Sequence, residues 1–401
     1  LQAELEPLSR RYDVVVANPP YMGSSSLGKW MGAWAKKHYP EAYRDLCTSF
    51  IDRGFGMSAD DGYSAMVTMQ SWMFLGSFEK LRGKILRNHS VSSMAHLGTR
   101  AFGAIGGEVV STTATVLTNA KSEVKGAYFR LVDMGSEEEK QAGLLEALAN
   151  PDCGWFYRCS ARMYDSIPGT PIVYWASKAI ASAFKKGLPV SSIGQPRQGL
   201  ATGENARFVR QWWEVSLDRE WFDCPSIEES AKSGLKWFPY NKGGEYRKWY
   251  GNNDCVVNWK NDGYEIRNFV DAAGRQLSRP QNTSYYFKPC ITWSKISSGS
   301  IAFRYKPAGH VFDVAGTSIF ANSDRLSYLQ GACNSSVILK IANMLSPTLN
   351  FEVGQIAAYP IVFSENRYSD VNTIVEECRS LSRSDWDSAE VSWDFKHHPL
   401  I

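Results

Sequence analysis

Short apolar runs alternate with helical spacings over the first third of the chain. Tyr12–Ala17 form a Val-rich run that Asn18-Pro19-Pro20 ends, which is typical of a buried parallel strand. Further strands are predicted at Tyr63–Thr68, Val91–Leu97 and Val109–Leu117, and Phe78, Leu81, Ile85 and Leu86 predict a helix with Ser77 as its cap. This alternation predicts an α/β doubly wound sheet, whose functional crevice lies at the carboxyl ends of its strands. Asn18–Tyr21 would lie there.

The pattern changes in the middle of the chain. Leu144, Leu145 and Leu148 predict a connecting helix that Asn150-Pro151 ends. Beyond Ile167, short strand-like runs alternate with turns rich in Gly, Asn and Ser, and Trp and Tyr are frequent. The later part predicts a strand at His310–Val314, a helix within Leu326–Leu345 and a closing strand at Asn350–Val353. We therefore predict a first domain at 1–135, a connector at 136–166, a second domain at 167–363 and a tail at 364–401.

Composition narrows the class of protein. With 401 residues, 44% hydrophobic and 21% charged, the chain has the balance of a folded protein, which excludes a disordered or fibrous one. Its eight cysteines form no C-x-x-C pair, so neither a zinc cluster nor a disulfide framework is indicated. Apolar runs stay short of the ~18 residues of a membrane span, and no signal-peptide pattern occurs. We expect a soluble, cytoplasmic protein with no membrane partner.

Positive charge is concentrated in one segment. Residues 181–310 carry 19 Lys and Arg against 12 Asp and Glu, whereas the rest of the chain carries 25 against 29. A basic, aromatic-rich segment beside an acidic remainder indicates a polyanion-binding module. An ordinary solvated surface explains the charge equally well.

The most informative motif is Asn18-Pro19-Pro20-Tyr21. Two consecutive prolines stiffen the backbone and remove two N–H donors, so the turn can present carbonyl oxygens outward. The Asn18 amide adds another acceptor, and Tyr21 offers a flat face to a planar ring. Two acceptors and a stacking face suit the exocyclic amine of a base. A rigid turn with Tyr21 as a packing residue is the alternative interpretation.

A resemblance extends this interpretation over most of the chain. The runs NPPYMGSSS, KKHYPEAYRDLCTSFIDRG, GYSAMVTMQSWMF, LGTRAFGAIGGEVVSTTATVL, KWFPYNKGGEYRKWYGNNDCVVNW and IAFRYKPAGHVFDVAG resemble the PglX adenine methyltransferases of BREX phage-exclusion systems. These enzymes are similar to restriction-modification methylases of the Eco57I type. The resemblance implies S-adenosylmethionine as cofactor, no metal, and methylation of adenine N6 in double-stranded DNA after base flipping.

The resemblance also implies a fold and roles for residues. It implies the C-terminal part of a class I methyltransferase sheet over residues 1–135, followed by a mixed α+β target-recognition domain over 167–363. Asn18 and the Pro19 carbonyl would hold the amine, Pro20 would fix the turn, and Tyr21 would stack on the base. Phe102 would place a second aromatic ring against the base, although it could instead close the sheet core.

The cofactor loop of this family precedes the strand that carries the motif. Only Leu1–Arg11 precede that strand here, so we expect the cofactor residues to lie upstream and this chain alone to be inactive. Gly103 and Gly106-Gly107 do not form a phosphate loop, because no G-x-G-x-x-G follows a strand and opens a helix.

Residues for DNA contact are expected in the basic domain. Lys242, Arg247 and Lys248 lie in a segment, Lys236–Tyr250, that interleaves cations, aromatics and glycines, although a Trp-rich core with solvated lysines would give the same pattern. Arg197 and Gln198 have the side chains for guanine and adenine edges, or else cap a loop. Arg304 and Lys306 alternate along a strand and would face one side, with Arg304 at the DNA and Lys306 on a solvated face.

Other hypotheses stay open. The motif also suits RNA or a protein glutamine, although the basic domain favours DNA. The chain could be an Eco57I-like restriction-modification methylase or specificity subunit, or a non-catalytic module that binds DNA and docks other subunits of an exclusion system. His397-His398 is interpreted as tail rather than a metal site, and Pro151-Asp152 has no Glu-x-Lys partner, so we expect no nuclease.

Overall fold

The fold was obtained as a computed structural model that describes residues 7–102, 110–165, 167–297, 299–345, 350–398 and 400. It divides into two compact units, Leu1–Ala181 and Ser182–Ile401, which we call unit 1 and unit 2. The division falls inside helix Lys178–Lys186. The domain boundaries expected from the sequence stay predictions.

Unit 1 is built on a six-stranded mixed sheet. Its strands are β1 (Tyr12–Ala17), β2 (Ser58–Met69), β3 (Ser90–Gly98), β4 (Thr112–Thr118), β5 (Gly126–Arg130) and β6 (Phe156–Cys159), in the order β1-β2-β4-β3-β5-β6. The pairs β1–β2 and β3–β5 are parallel, whereas β4 is antiparallel to β2 and β3, and β6 is antiparallel to β5. The four predicted strands are confirmed as strands, although Val109, the first residue of the fourth predicted run, lies outside the described residues. The Thr-rich run of that strand did not reveal that β4 is antiparallel to its neighbours.

β1 is the outermost strand on one side of this sheet. Among the described residues it pairs with β2 alone, and Val14 and Val16 are 55% and 75% exposed. The strand is parallel to β2, as expected, but it is not buried in this chain, because it has a neighbour on one side only among the described residues. The Val-rich sequence reflects β-propensity here rather than burial.

Helices flank the strands in unit 1. They are α1 (Lys29–His38), α2 (Leu46–Met57), α3 (Glu79–Asn88) and α4 (Glu137–Ala149), whereas α5 (Lys178–Lys186) contains the division between the units. Leu81 and Ile85 of α3 are buried, as their spacing predicts. Ser77 does not cap α3: the N-cap residue is Phe78, since a short 3₁₀ turn, Gly76–Phe78, precedes the helix. Of α4, Ala147 packs with Phe129 and Leu131 at the end of β5.

A buried arginine ties two parts of unit 1 together. Arg82 on α3 is 1% exposed and donates to the carbonyls of Trp72 (2.8 Å), Leu75 (2.7 Å) and Gly169 (2.7 Å). Burial lowers the pKa of its guanidinium to about 10, although Glu79 acts in the opposite direction. Arg82 therefore fixes the turn that follows β2 against residues 87 positions away.

Unit 2 contains two small four-stranded sheets. One has the order β14-β10-β11-β9 and the other β13-β12-β15-β8, and β7 pairs with β16 separately. The strands are β7 (Leu188–Pro189), β8 (Gln195–Arg197), β9 (Val209–Gln211), β10 (Trp237–Asn241), β11 (Cys255–Asn258), β12 (Cys290–Thr292), β13 (Arg304–Lys306), β14 (Val311–Phe312), β15 (Ser318–Phe320) and β16 (Pro360–Ile361). All pairs are antiparallel except β10–β14.

The helices of unit 2 are shorter except at its end. They are α6 (Val190–Ile193), α7 (Asn205–Phe208), α8 (Ile227–Lys232), α9 (Lys260–Arg267), α10 (Ser323–Asn334), α11 (Ser336–Leu345), α12 (Val353–Ala357) and α13 (Tyr368–Asp387). The helix predicted within 326–345 is thus two helices that meet at Ser335. The strand predicted at Asn350–Val353 is wrong: Glu352 and Gln355 form a capping box that begins α12.

Aromatic residues dominate the core of unit 2. Phe238, Tyr240, Trp259, Phe287 and Phe312 are all buried in one cluster. The described residues include no helix long and apolar enough to cross a lipid bilayer.

An acidic side chain is buried without a partner in unit 2. Glu220 is 8% exposed, and neither carboxylate oxygen has a hydrogen-bond partner among the described residues. Desolvation raises its pKa to about 7, because the charged form loses its hydration without gaining a donor.

Candidate functional site

One edge of the unit 1 sheet collects polar side chains. β1, β2, β3 and β5 run in the same direction, since β4 is antiparallel to both β2 and β3. Their carboxyl ends therefore meet at one end of the sheet, where parallel strands commonly present functional groups. We call this end the carboxyl edge, and in the site it is the edge that is meant. Asn18 follows β1, Gln70 follows β2, His96 lies near the end of β3 and Arg130 ends β5.

The Asn18–Tyr21 motif presents both polar groups and a ring at this edge. Pro19 is buried and anchors the turn, whereas Asn18 is exposed and Tyr21 is half-buried. The Tyr21 hydroxyl donates to Asn18 Oδ1 over 3.4 Å. Partial burial, with a smaller effect of Cys47, raises the pKa of Tyr21, so its hydroxyl stays protonated and remains a donor near neutral pH.

The chain that follows the motif is pinned to a second segment. Leu46 N donates to Met22 O and Ser24 N donates to Arg44 O, each over 2.9 Å. Asp45 Oδ1 accepts from Cys47 N (3.0 Å), which caps α2, and from Met22 N (3.3 Å). Residues 22–46 thus leave and return to the sheet edge beside Tyr21. Sequence reasoning missed Asp45, although an aspartate before the apolar helix start at Leu46 is an N-cap signal.

A buried histidine links the ends of β2 and β3. His96 Nε2 lies 2.7 Å from Gln70 Oε1, and Nδ1 lies 3.1 Å from the Tyr174 hydroxyl. Burial, with Arg130 and Lys140, lowers the pKa of His96 to about 3, so the ring is neutral. These partners lie 26 and 78 positions away in the sequence, which is why no local pattern revealed the group.

Phe102 is half-buried in the connection from β3 to β4. β3 ends at the same edge as Asn18, and Phe102 lies four residues beyond that end. Gly98 makes the turn possible: its φ is +66°, and a Cβ there would lie 3.0 Å from Val132 Cγ1. Gly103, Gly106 and Gly107 lie outside the described residues.

The accessible groups of the motif at this edge are the Asn18 amide and the Tyr21 ring. His96 is buried, and its two ring nitrogens already lie within hydrogen-bond distance of Gln70 and Tyr174. Asp133, the carboxylate that follows β5, is paired with Arg130. An amide acceptor and an aromatic face fit an amine on a planar ring. We assign no residue of this edge to the cofactor.

No group of three or more His, Cys, Asp or Glu side chains that could hold a metal occurs within the part of the chain that the structure describes. His397 and His398 are exposed, and His398 Nδ1 accepts from Leu400 N over 3.2 Å.

The cations of the Lys236–Tyr250 segment differ in their freedom. Arg247 forms an ion pair with Asp385 (2.6 Å) and lies 5.1 Å from the centre of the Trp386 ring. Lys248 donates to Asn334 O over 3.1 Å. Lys242 is partly exposed and makes no hydrogen bond or ion pair with the described residues.

The aromatics of the same segment are mostly core. Trp237, Phe238, Tyr240 and Tyr250 are buried, whereas Tyr246 is 56% exposed. Asn241 is also buried, and its amide donates to Thr292 Oγ1 (2.7 Å) and Gly316 O (2.9 Å). Its side chain is therefore not available to contact DNA.

The structure corrects the expectation for Arg304 and Lys306. Arg304 is 1% exposed, and its guanidinium donates to Ser294 Oγ (3.1 Å) and to the carbonyls of Glu245 and Arg247 (3.4 Å each). Lys306 is fully buried and donates to Gly251 O, Asn252 O and Asn253 Oδ1. The two residues do share a side of β13, but that side faces the interior, so direct DNA contact by Arg304 and a solvated Lys306 are both wrong.

Arg197 and Gln198 lie at the end of β8 and are half-buried. Arg197 Nη2 donates to Gln195 Oε1 over 2.8 Å, and its guanidinium lies 5.3 Å from the Tyr285 ring centre. The Gln198 backbone carbonyl accepts from Asn282 Nδ2 (2.9 Å), which leaves its side-chain amide free of hydrogen bonds to described residues. Sequence reasoning missed Tyr285 as the ring that holds Arg197.

Comparison with known proteins confirms the expected resemblance. The family model of the Eco57I restriction-modification methylase matches residues 4–102, which include the motif. The chain is 40% identical over 398 residues to the adenine-specific methyltransferase PglX of Lacticaseibacillus casei, strain Zhang, and 40% identical over 399 residues to the adenine-specific methyltransferase BrxX of Escherichia coli O9:H4, strain HS.

Each match covers 98% of this chain but only 33% and 31% of the two relatives, so the chain spans about a third of their length. Among solved structures, the fold is similar to the Type IIL restriction-modification enzyme MmeI in complex with DNA, with a TM-score of 0.62 at 13% identity, over 96% of this chain and 52% of that one. The mixed α/β architecture is thus shared with restriction-modification enzymes.

Proposed function

We propose that this chain is the part of an adenine-specific DNA methyltransferase that holds the target base and recognises the DNA sequence around it. The reaction would transfer a methyl group from S-adenosylmethionine to adenine N6 in a specific duplex, which would mark host DNA in phage defence. The relatives named as adenine-specific methyltransferases support the reaction class. The observation that carries the proposal is the exposed Asn18 amide, hydrogen-bonded by Tyr21 at the carboxyl edge of the sheet.

Asn18 and Pro19 would bind the amine as acceptors. Asn18 Oδ1 has two lone pairs, and the Tyr21 hydroxyl engages one of them at a long 3.4 Å, so the second can accept from the base. Hydrogen bonds that the amine donates to Asn18 and to the Pro19 carbonyl would hold it in position and favour a pyramidal nitrogen with a free lone pair. S-Adenosylmethionine supplies the electrophilic methyl group when it is bound.

The target adenine would have to leave the duplex. Its amine is inaccessible inside a base pair, so the base would be flipped into the edge site and stacked on aromatic rings. Tyr21 is the first such ring. Phe102 lies four residues beyond the end of β3 and is half-buried, which leaves part of its ring for a second contact.

Unit 2 would supply the phosphate and base contacts. Lys242 is the best phosphate ligand, because its ammonium forms no hydrogen bond or ion pair with the described residues and interacts with the Asp313 carboxylate only at longer range. Gln198 has a free side-chain amide for a base edge. Arg197, Arg247 and Lys248 would contribute less to DNA binding, because each already bonds to a residue of unit 2, namely Gln195, Asp385 and Asn334 in turn.

The test is Asn18→Ala in the complete protein that carries this sequence, with N6-methyladenine in a defined duplex as the readout. We expect methylation to fall by at least 100-fold, because the amine loses one of its two acceptors. DNA affinity should change less than twofold. Asn88→Ala is the matched control, since Asn88 is exposed at the end of α3, away from the carboxyl edge. Unchanged methylation by Asn18→Ala would reject the assignment.

A further inference from the structure

The segment between the motif and Asp45 has an unusual surface. Residues 22–46 leave and return beside Tyr21, as described above, and carry α1 between the two pinned ends. We call residues 22–46 the pinned excursion. Of the ten residues of α1, Ala35 alone is buried. Trp30 is 72% exposed and Trp34 is 39% exposed.

The aromatic rings of α1 form a ladder on one side of the helix. Trp30, Trp34 and His38 are spaced four residues apart, which aligns them on one face. The Trp30 and Trp34 ring centres are 6.5 Å apart with a 20° angle between planes, and Trp34 and His38 are 4.8 Å apart at 30°. Large exposed aromatic surface of this kind marks an interaction site rather than a stable free surface.

The charge beside the ladder identifies the chemistry of the partner. Lys29, Lys36, Lys37 and Arg44 are all exposed. None of the four forms an ion pair with a described residue, although Lys36 and Arg44 lie 5.9 Å and 4.9 Å from the centre of the Tyr43 ring. The two acidic residues of the excursion do not cancel this charge at the surface, because Asp45 is buried as the cap of α2 and Glu41 is half-buried. Unpaired cations around flat rings complement a phosphate backbone and its bases.

We infer that the pinned excursion is a second nucleic-acid surface, on which Trp30 and Trp34 stack bases that have lost their pairing partner in opened DNA. Paired bases are already stacked on their neighbours, so only an unpaired base offers its face to an exposed indole. The source of such bases rests on the proposed function, because base flipping at Asn18–Tyr21 would open the duplex next to the excursion. Lys29, Lys36 and Lys37 would contact the phosphates of the same strand.

The experiment measures binding of three fluorescent probes by anisotropy: a paired duplex, the same duplex with a three-base mismatch bubble, and a single strand. We expect the double variant Trp30→Ala/Trp34→Ala to lose about 10-fold or more in affinity for the bubble and the single strand. Affinity for the paired duplex should change less than twofold. Trp213→Ala is the control, since Trp213 is 50% exposed in unit 2. Equal single-strand affinity of double variant and parent overturns the inference.

The lysines give an independent readout. The pair Lys36→Gln/Lys37→Gln should lower the slope of log K against log salt for the single strand by about 1.4, at roughly 0.7 per phosphate contact. Lys80→Gln, an exposed lysine on α3, should leave the slope unchanged. An unchanged slope for the excursion variant contradicts the inference.

Failure of this inference is distinguishable from failure of the proposed function. If Asn18→Ala abolishes methylation while the Trp double variant binds single strands normally, the proposed function stands and the inference falls. If the Trp double variant loses single-strand binding while Asn18→Ala still methylates, the inference stands and the base-holding role of Asn18 falls. If the Trp substitutions abolish self-association in sedimentation and leave every DNA affinity intact, the excursion is a protein interface and the inference is wrong.

Discussion

The two units use their polar residues in opposite ways. In unit 1 the motif residues Asn18 and Tyr21 follow a strand end and remain accessible, whereas most of the charge of the basic segment in unit 2 is engaged within the protein. Arg304 and Lys306 are buried, Arg247 is in an ion pair and Lys248 binds a carbonyl. The comparison teaches that a charge count indicates a binding surface only after each cation has been checked for an internal partner.

The units also share one device. Arg82 in unit 1 and Arg304 in unit 2 are both buried, form no direct ion pair with a described residue and donate mainly to backbone carbonyls. Arg82 holds the turn after β2, which ends at the functional edge, and Arg304 holds the loop around Glu245, next to the proposed DNA contacts. Burial lowers the pKa of each to about 10, so both stay charged at neutral pH.

The largest effect should come from removing these two guanidinium groups. Arg82→Met and Arg304→Met each leave buried carbonyls without donors, and each should lower the free energy of unfolding by about 3–5 kcal/mol. Urea denaturation monitored by tryptophan fluorescence and by circular dichroism measures this loss. Arg162→Gln, an exposed residue in a surface ion pair, should cost less than about 1 kcal/mol. A loss below 1 kcal/mol for both buried arginines would show that their guanidinium groups do not hold the two loops in place.

The next effect depends on pH and is confined to unit 2. The folded pKa of Glu220, about 7, lies above its ordinary 4.5, so the folded state binds the proton more tightly than the unfolded state. Stability should therefore fall as pH rises from about 4.5 to 7, and the full penalty should persist above 7. Glu220→Gln should raise the free energy of unfolding at pH 8 by up to about 3 kcal/mol.

Denaturation of the parent and of Glu220→Gln at pH 4 and pH 8 measures this difference, which should vanish at pH 4. Glu228→Gln, an exposed carboxylate on α8, is the control and should show no such gain at pH 8. Equal stability of parent and Glu220→Gln at pH 8 would show that the buried carboxylate has a partner in solution.

The smallest effect separates free from engaged cations. Lys242→Gln should weaken duplex binding a few-fold and lower the salt slope by roughly 0.9, as expected for one phosphate contact. Lys260→Gln serves as a control outside the segment, on α9. Anisotropy titrations at two salt concentrations measure both values. A slope that Lys242→Gln leaves unchanged would mean that Lys242, although it forms no ion pair with a described residue, does not contact DNA.

Local features of the fold were predictable from the sequence, and distant ones were not. The bounds of β1 coincide with the Tyr12–Ala17 run, since Asn18-Pro19 stops a strand by covalent geometry alone. Whether that strand is buried depends on its neighbours in the sheet, which the run does not encode. The Asn350–Val353 strand failed for a related reason: the apolar residues were visible, but the Glu352–Gln355 capping box decided for a helix.

The site shows the same division. Asn18–Tyr21 lie within four consecutive residues, so their chemistry could be argued from the sequence. The His96 group needs Gln70 and Tyr174, and the burial of Lys306 needs the carbonyls of residues 251 and 252, more than fifty positions away. Alternation along β13 correctly placed Arg304 and Lys306 on one side, but a period of two cannot tell the interior from the surface.

The exposed edge of β1 has a practical consequence. Val14 and Val16 stand on a strand whose outer N–H and C=O groups have no partner strand among the described residues. Unpaired apolar edges recruit strands from other molecules, so we expect concentrated solutions of this chain to aggregate through this edge. Val16→Lys would place a charge on this strand as a gatekeeper against such growth.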